Sequence, residues 1–218
     1  MHQGPSEIVV LKPTTVFLSF LASQLPENDL PDIKLLQTDC TAYVINKHHS
    51  VAATVEEIEK KFSVMFRHEI CRWLGNNARN EIETSFLDFL CCFKFEIHSH
   101  MILMESSIEA GHQLLIIKPR SLLLDWMKSA IEGHEELENV MERVNLSHLT
   151  ENATVIIKNF SDLKEIKSFI KQYYKPIFET AMSRISNQSS EWPVVNSFQA
   201  FSQYFAIEIH TQLIHLPY

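Results

Sequence analysis

The chain repeats itself, and that repeat is the feature that most narrows what it can fold into. Ile8 to Leu11 is an apolar run ended by Lys12-Pro13 and followed by Val16, Phe17, Phe20 and Leu21; Leu114 to Ile117 is an apolar run ended by Lys118-Pro119 and followed by Leu122, Leu123, Trp126 and Met127. The offset is 118 − 12 = 106, and it needs no gap as far as Ser23 and Ser129. A second match, Phe86, Phe89, Phe93, Glu96, Ile97, His98 against Phe198, Phe201, Phe205, Glu208, Ile209, His210, holds at 198 − 86 = 112. Between them Tyr43-Val44-Ile45 leads to an apolar stripe through Ile58, Phe62, Met65, Phe66, Ile70 and Trp73, and Val155-Ile156-Ile157 leads to one through Ile166, Phe169, Ile170, Tyr173 and Tyr174. Ile58, Met65 and Phe66 align with Ile166, Tyr173 and Tyr174 at 166 − 58 = 108. Self-similarity on this scale predicts one supersecondary unit used twice.

Each copy reads as strand, helix, strand, helix, helix. Short β-branched runs bounded by polar residues predict the strands, and spacing of three and four predicts the helices, with Thr15, Ser121, Thr54 and Ser161 placed to cap them. Phe95 to Leu103 alternates as a strand would, yet its counterpart from Ser197 to Leu216 carries Phe198, Phe201, Phe205, Ile209, Leu213 and Leu216 along one helical face, so both are read as helices. The expectation is an α+β fold of two tandem related modules, 1–105 and 106–218, with helices packed on a small sheet and the modules packed as one compact unit. Lys47 to Ala53 reads as a longer loop in the first copy, and His134 to Asn145 as an extra helix in the second. Pro176 should kink or restart its helix.

At 218 residues and 45% hydrophobic, the chain has enough apolar surface for such cores. A formal charge of -8 without any basic run argues against nucleic acid as a partner and favours a basic or neutral one. Up to Ala110 there are 9 Lys and Arg against 15 Asp and Glu, net -6; the remainder has 10 against 12, net -2, so the acidity lies mainly in the first half. Cys40, Cys71, Cys91 and Cys92 form no Cys-x-x-Cys pair, which fits reduced thiols and a cytoplasmic protein. No signal-peptide pattern and no apolar run of about 20 residues is present.

The candidate chemistry centres on the recurring Glu-x-His pairs. On a strand, Glu96, His98 and His100 would share a face and could hold zinc or iron; on a helix, Glu96 and His98 lie about 200° apart and cannot. Gln212 stands where His100 does, removing a ligand from the second copy. Glu96, His98, Glu208 and His210 are therefore the candidate metal ligands, and hydrogen bonding within the fold is the competing role. His68-Glu69 lacks the second histidine of a zincin helix, Arg72 standing in its place. Cys71 and His68 are one turn apart, with no readable oxyanion site. His48 and His49 lie in the loop that distinguishes the first copy. No phosphate loop, dinucleotide fingerprint or nucleophile elbow occurs, and no cofactor is implied.

The second half, with Asn159-Phe160, Ile177-Phe178-Glu179, Trp192-Pro193, Phe205 and Ile207-Glu208-Ile209-His210, resembles small bacterial proteins of unknown function, a resemblance that implies no catalytic residues. In the first half His68 stands at the place of Pro176, and the Trp-Pro pair is missing. The length, acidity and lack of chemistry are similar to LvgA-type adaptor subunits of type IVB (Dot/Icm) secretion coupling complexes, which implies a protein partner. The expected function is a non-catalytic adaptor that holds a helix or peptide of basic or apolar character in a groove where the copies meet. The alternatives are an enzyme built from Glu96, His98, Glu208 and His210 and an immunity-type binding protein.

Overall fold

The computed structural model describes residues 6–26, 29–75, 84–104, 111–151 and 153–216. The chain divides into two compact units, Met1–Ser99 with His210–Tyr218, and His100–Ile209. The first contains β1 (Ser6–Pro13), α1 (Thr15–Ala22), α2 (Ile33–Thr38), β2 (Thr41–Asn46), α3 (Val51–Leu74), α4 (Phe86–Cys92) and β3 (Phe93–His98). Then come β4 (Met101–Leu103), β5 (Gln113–Pro119), α5 (Ser121–Ala130), α6 (Glu135–Met141), α7 (Leu146–Glu151) and β6 (Thr154–Lys158). The chain continues through α8 (Leu163–Met182), a 3₁₀ turn Ser189–Glu191, α9 (Phe198–Tyr204), β7 (Phe205–His210) and β8 (Gln212–His215). The fold is α+β.

Helices begin where a polar side chain meets the first unpaired N–H groups. Ser50 accepts from Ala53 N–H, Asp162 from Glu165 N–H and Ser197 from Ala200 N–H. Ser85 and Asp88 form a reciprocal capping box. The caps differ from the expected Thr15, Thr54, Ser121 and Ser161, because the cap is the last extended residue before the turn: Thr14, Ser50, Arg120 and Asp162 hold that backbone. α8 runs through Pro176 without interruption, so the expected restart does not occur.

The first sheet has the order β3-β1-β2-β8 and the second β4-β6-β5-β7. In the first, β1 is antiparallel to both β2 and β3, and β8 is parallel to β2. In the second, β5 is antiparallel to β6 and β4 is parallel to β6. Each sheet thus takes an edge strand from the segment that follows the other sheet's last strand. Thr211 alone separates β7 from β8, and one residue is too short for a hairpin turn, so β8 cannot fold back on β7. Ala42 faces Leu213 in one ladder and Val155 faces Met101 in the other, the same register in both units. This reciprocal exchange is why the units divide near residues 99 and 209 rather than at the expected 105.

The helical reading of Phe95 to Leu103 and of the segment ending at Leu216 is overturned. A helix forms over Phe86–Cys92 and Phe198–Tyr204 and ends at Phe93 and Phe205, whose extended backbones start β3 and β7. The phenylalanine stripe continues across the junction, which lets one periodicity mimic another. In both units the junction is tied to the turn after the first strand: Thr14 N–H donates to Cys92 O at 2.9 Å and Arg120 N–H to Tyr204 O at 2.8 Å.

α3 and α8 correspond at 112 rather than 108. Ser50 and Asp162 cap them, and buried Ile58, Met65, Phe66, Glu69 and Ile70 match buried Ile170, Ile177, Phe178, Ala181 and Met182. A four-residue slip rotates a helix by only about 40°, so hydrophobic spacing cannot tell the two apart. The connections 47–50 and 159–162 are then equal in length, and the longer loop expected in the first copy is absent.

One core gathers Phe17, Phe66, Phe89 and Phe93 against Val9, Leu11 and Tyr43. The other gathers Phe169, Phe178, Phe201 and Phe205 against Leu115, Ile117 and Ile156. Ile8 to Leu11 and Leu114 to Ile117 are buried along their whole length, as fits a strand covered on both faces. Each such side chain contributes about 1.5–3 kcal/mol. No helix among the described residues is long and apolar enough to cross a membrane.

Candidate functional site

Because β3 and β7 are strands, Glu96 and His98 share a face, as do Glu208 and His210. Val10 lies opposite Glu96 and Lys12 opposite Lys94, which sets Lys12 diagonally beside Glu96. Lys12 Nζ is 3.9 Å from Glu96 Oε2, and Lys118 Nζ is 2.6 Å from Glu208 Oε2. The two most recognisable sequence repeats, Lys-Pro and Glu-Ile-His, are therefore the two ends of one ion pair used twice. His98 and His210 are fully buried. His210 Nδ1 accepts the N–H of Cys40 at 2.9 Å, while His98 Nε2 stands 3.6 Å from Glu96 Oε2, beyond hydrogen-bond reach. His100 follows β3, and its carbonyl accepts from Val155 N–H. Among the described residues no three His, Cys, Asp or Glu side chains converge as a metal site. His48 Nε2 lies 3.8 Å from Glu57 Oε2, on the first turns of α3.

Sequence reasoning missed a polar cluster inside the first unit. Glu69 stands in the apolar stripe of α3 and is 1% exposed. Tyr43 OH lies 3.1 Å from both Glu69 Oε1 and Met65 O. Arg72 Nη1 donates to Thr41 Oγ1 at 3.1 Å, and Arg72 Nη2 is 3.2 Å from Asp39 Oδ2. Thr211, the residue between β7 and β8, closes the cluster, its N–H and hydroxyl donating to the Asp39 carboxylate at 2.7 and 2.6 Å. Burial raises the Glu69 pKa, while the Thr41 hydroxyl and the Arg72 guanidinium oppose it. The same burial lifts the Tyr43 phenol well above its ordinary value. A phenol has one hydrogen for two acceptors here, and a protonated Glu69 supplies a second. A charged residue in an apolar stripe was the available signal.

The second unit is built differently at the same place. Among the described residues, a cavity of about 330 Å³ opens between the sheet and α8, lined by Ile117, Thr154, Ala181 and Phe205, with Arg184 also on its wall. Beside it, sharing Met127 and Ile185, lies an apolar groove of about 460 Å³ formed by α5, α6 and the segment before the 3₁₀ turn. Trp126, Ala130, Leu137, Val140 and Met141 line the groove. Leu137 and Val140 are 52% and 63% exposed, large values for aliphatic side chains. Trp192 Nε1 donates to Ser186 O at 3.1 Å and ties down the far wall. Glu132, Glu135, Glu136, Glu138 and Glu142 are all exposed on or beside α6. This groove is built within the second unit alone; Glu191 is the acidic residue on its lining, and the extra helix α6 that forms one wall carries the exposed glutamates. Comparison of the chain with protein-family models, with curated proteins and with solved structures found no match.

Proposed function

We propose that the protein is an internally duplicated, non-catalytic interaction module whose groove on α5 and α6 takes an amphipathic helix or peptide from another protein. The observation that carries this reading is the pairing of an exposed apolar floor, Leu137 and Val140, with five exposed glutamates and no lysine between residues 132 and 142. An aliphatic stripe flanked by Lys or Arg complements such a surface: the apolar contacts supply affinity, and the charges supply steering and register. The non-catalytic part of the reading is supported by the Glu-x-His pairs, whose carboxylates face lysines and whose imidazoles are buried. The resemblance to LvgA-type adaptors makes another subunit of a secretion coupling complex the partner to look for first.

The test is affinity isolation from the native cell with the wild-type chain and with Leu137→Glu/Val140→Glu. Exposed positions leave the thermal unfolding of the variant unchanged. The wild type should retain a stoichiometric protein partner that the variant loses, and salt should weaken retention. Equal recovery by both chains, or none by either, would refute the proposal.

A further inference from the structure

The second unit lacks an aromatic side chain that the first unit has. In the first unit α3 runs on to Leu74, and Trp73 on its last turn packs against the first core. In the second unit α8 ends at Met182, the counterpart of Ile70 at 182 − 112 = 70. The N–H groups of Ile185 and Ser186 both donate to Met182 O at 2.9 Å, which closes a turn where α3 continues as helix. The position of Trp73 falls on that turn, at 73 + 112 = 185, and holds the smaller Ile185. Buried Glu69, one turn earlier on α3, gives way to Ala181. Ala181 and Ile185 both line the cavity of about 330 Å³. The missing helical turn and the two smaller side chains open space at the level where the first unit places an indole.

Ile185 also stands between this cavity and the groove on α5 and α6, since it and Met127 line both. We infer that the helix held in the groove presents an indole side chain that enters the cavity and takes the place Trp73 fills in the first unit. This rests on the reading of the groove given above and names the residue that anchors its occupant. Ile117, Ala181 and Phe205 are buried and give the ring an apolar floor. The ring of Phe205 and the thioether of Met127 favour an aromatic guest, because ring–ring and sulfur–ring contacts add to the gain from burial. The volume, at the small end of the roughly 300–1,000 Å³ typical of ligand sites, suits one large side chain rather than a length of backbone. An indole carries no charge, so the fit asks for no unpaired ion on the wall. A tryptophan in a dry pocket beside a polar surface is the arrangement in which one residue carries much of an interface's affinity.

Indole itself is the probe, titrated into the full chain and followed by backbone amide shifts, with 3-methylbutan-1-ol as a leucine-sized aliphatic comparator. The expected result is saturable indole binding with Kd at or below about 1 mM, shifts centred on Ala181, Ile185 and Phe205, and the alcohol at least fivefold weaker. Ala181→Leu, which refills the cavity from α8, should weaken indole at least tenfold, whereas Leu137→Glu/Val140→Glu, which alters the groove, should leave it unchanged. Indole at several times its Kd should also release the partner that the wild-type chain retains in affinity isolation. No saturable binding, shifts centred elsewhere, equal binding of the alcohol, or full binding by a folded Ala181→Leu overturns the assignment; if that variant does not fold, the position of the wild-type shifts decides. A partner that is lost by Leu137→Glu/Val140→Glu but held in the presence of indole overturns the anchor and leaves the groove reading standing, while recovery of no partner at all refutes both.

Discussion

Ending the chain after His210 removes β8 and with it the edge of the first sheet, although every other strand of that sheet lies more than a hundred residues earlier. Leu213 and Leu216 are each 8% exposed, and burying a leucine contributes about 1.5–3 kcal/mol, so the pair contributes about 3–6 kcal/mol. The two hydrogen bonds from Thr211 to Asp39 are exposed and add about 0.5–1.5 kcal/mol together. The loss is therefore about 4–7 kcal/mol, against a typical domain stability of about 5–15 kcal/mol. Urea unfolding followed by tryptophan fluorescence should show the first unit, which holds Trp73, unfolded or melting at much lower denaturant. A synthetic peptide of residues 211–218, added in excess, should restore the transition by supplying the missing strand. A truncated chain that melts with the full one, or one that an excess of peptide leaves unchanged, would refute the account of the exchanged edge.

Three further predictions concern single groups. Glu69 titrates above its ordinary value because it is buried, so it stabilises the fold below pH about 4.5 as the neutral acid, and that contribution is lost as pH rises through the folded value. Glu69→Gln, neutral at every pH, should therefore gain stability over the wild type as pH rises from 5 to 8, and an unchanging difference in urea midpoint would contradict this. Lys118→Met should cost more than Lys12→Met, since the first pair is 2.6 Å apart and the second 3.9 Å; both pairs are partly exposed, which limits the loss to about 1 kcal/mol in denaturant melts. Burial pushes the Cys40 and Cys92 thiols up to about 11, so a thiol reagent at pH 8 should leave both unmodified in the native protein, label exposed Cys91, and reach all four on unfolding.

The parts of the fold legible in the sequence are those where one residue pattern permits one structure. Lys12-Pro13 and Lys118-Pro119 close two apolar strands, and the apolar faces of α3 and α8 follow from spacing alone. Two things escaped. Phe198, Phe201 and Phe205 lie on a helical stripe that Ile209, Leu213 and Leu216 happen to extend, so the turn from α9 into β7 left no mark in the periodicity, whereas the alternation of Phe95, Ile97 and their polar neighbours did mark it in the first copy. The four-residue slip between α3 and α8 hid the second point. Aligned at 108, Ala181 faces Trp73; aligned at 112, Ala181 faces Glu69 and Ile185 faces Trp73, and only then does the missing indole become visible. A cavity is a property of what surrounds an alanine, and no local pattern carries that.

The pairing of Thr41 with Gln212 spans 212 − 41 = 171 positions. Ribosomes add about 5–20 residues per second, so β2 waits on the order of 10–30 s for its neighbour after leaving the exit tunnel. Through that interval its outer backbone amides and carbonyls have no partner, an invitation to association with other nascent chains. Vectorial completion, one unit and then the next, is therefore closed to this protein: the half made first is among the last to be finished.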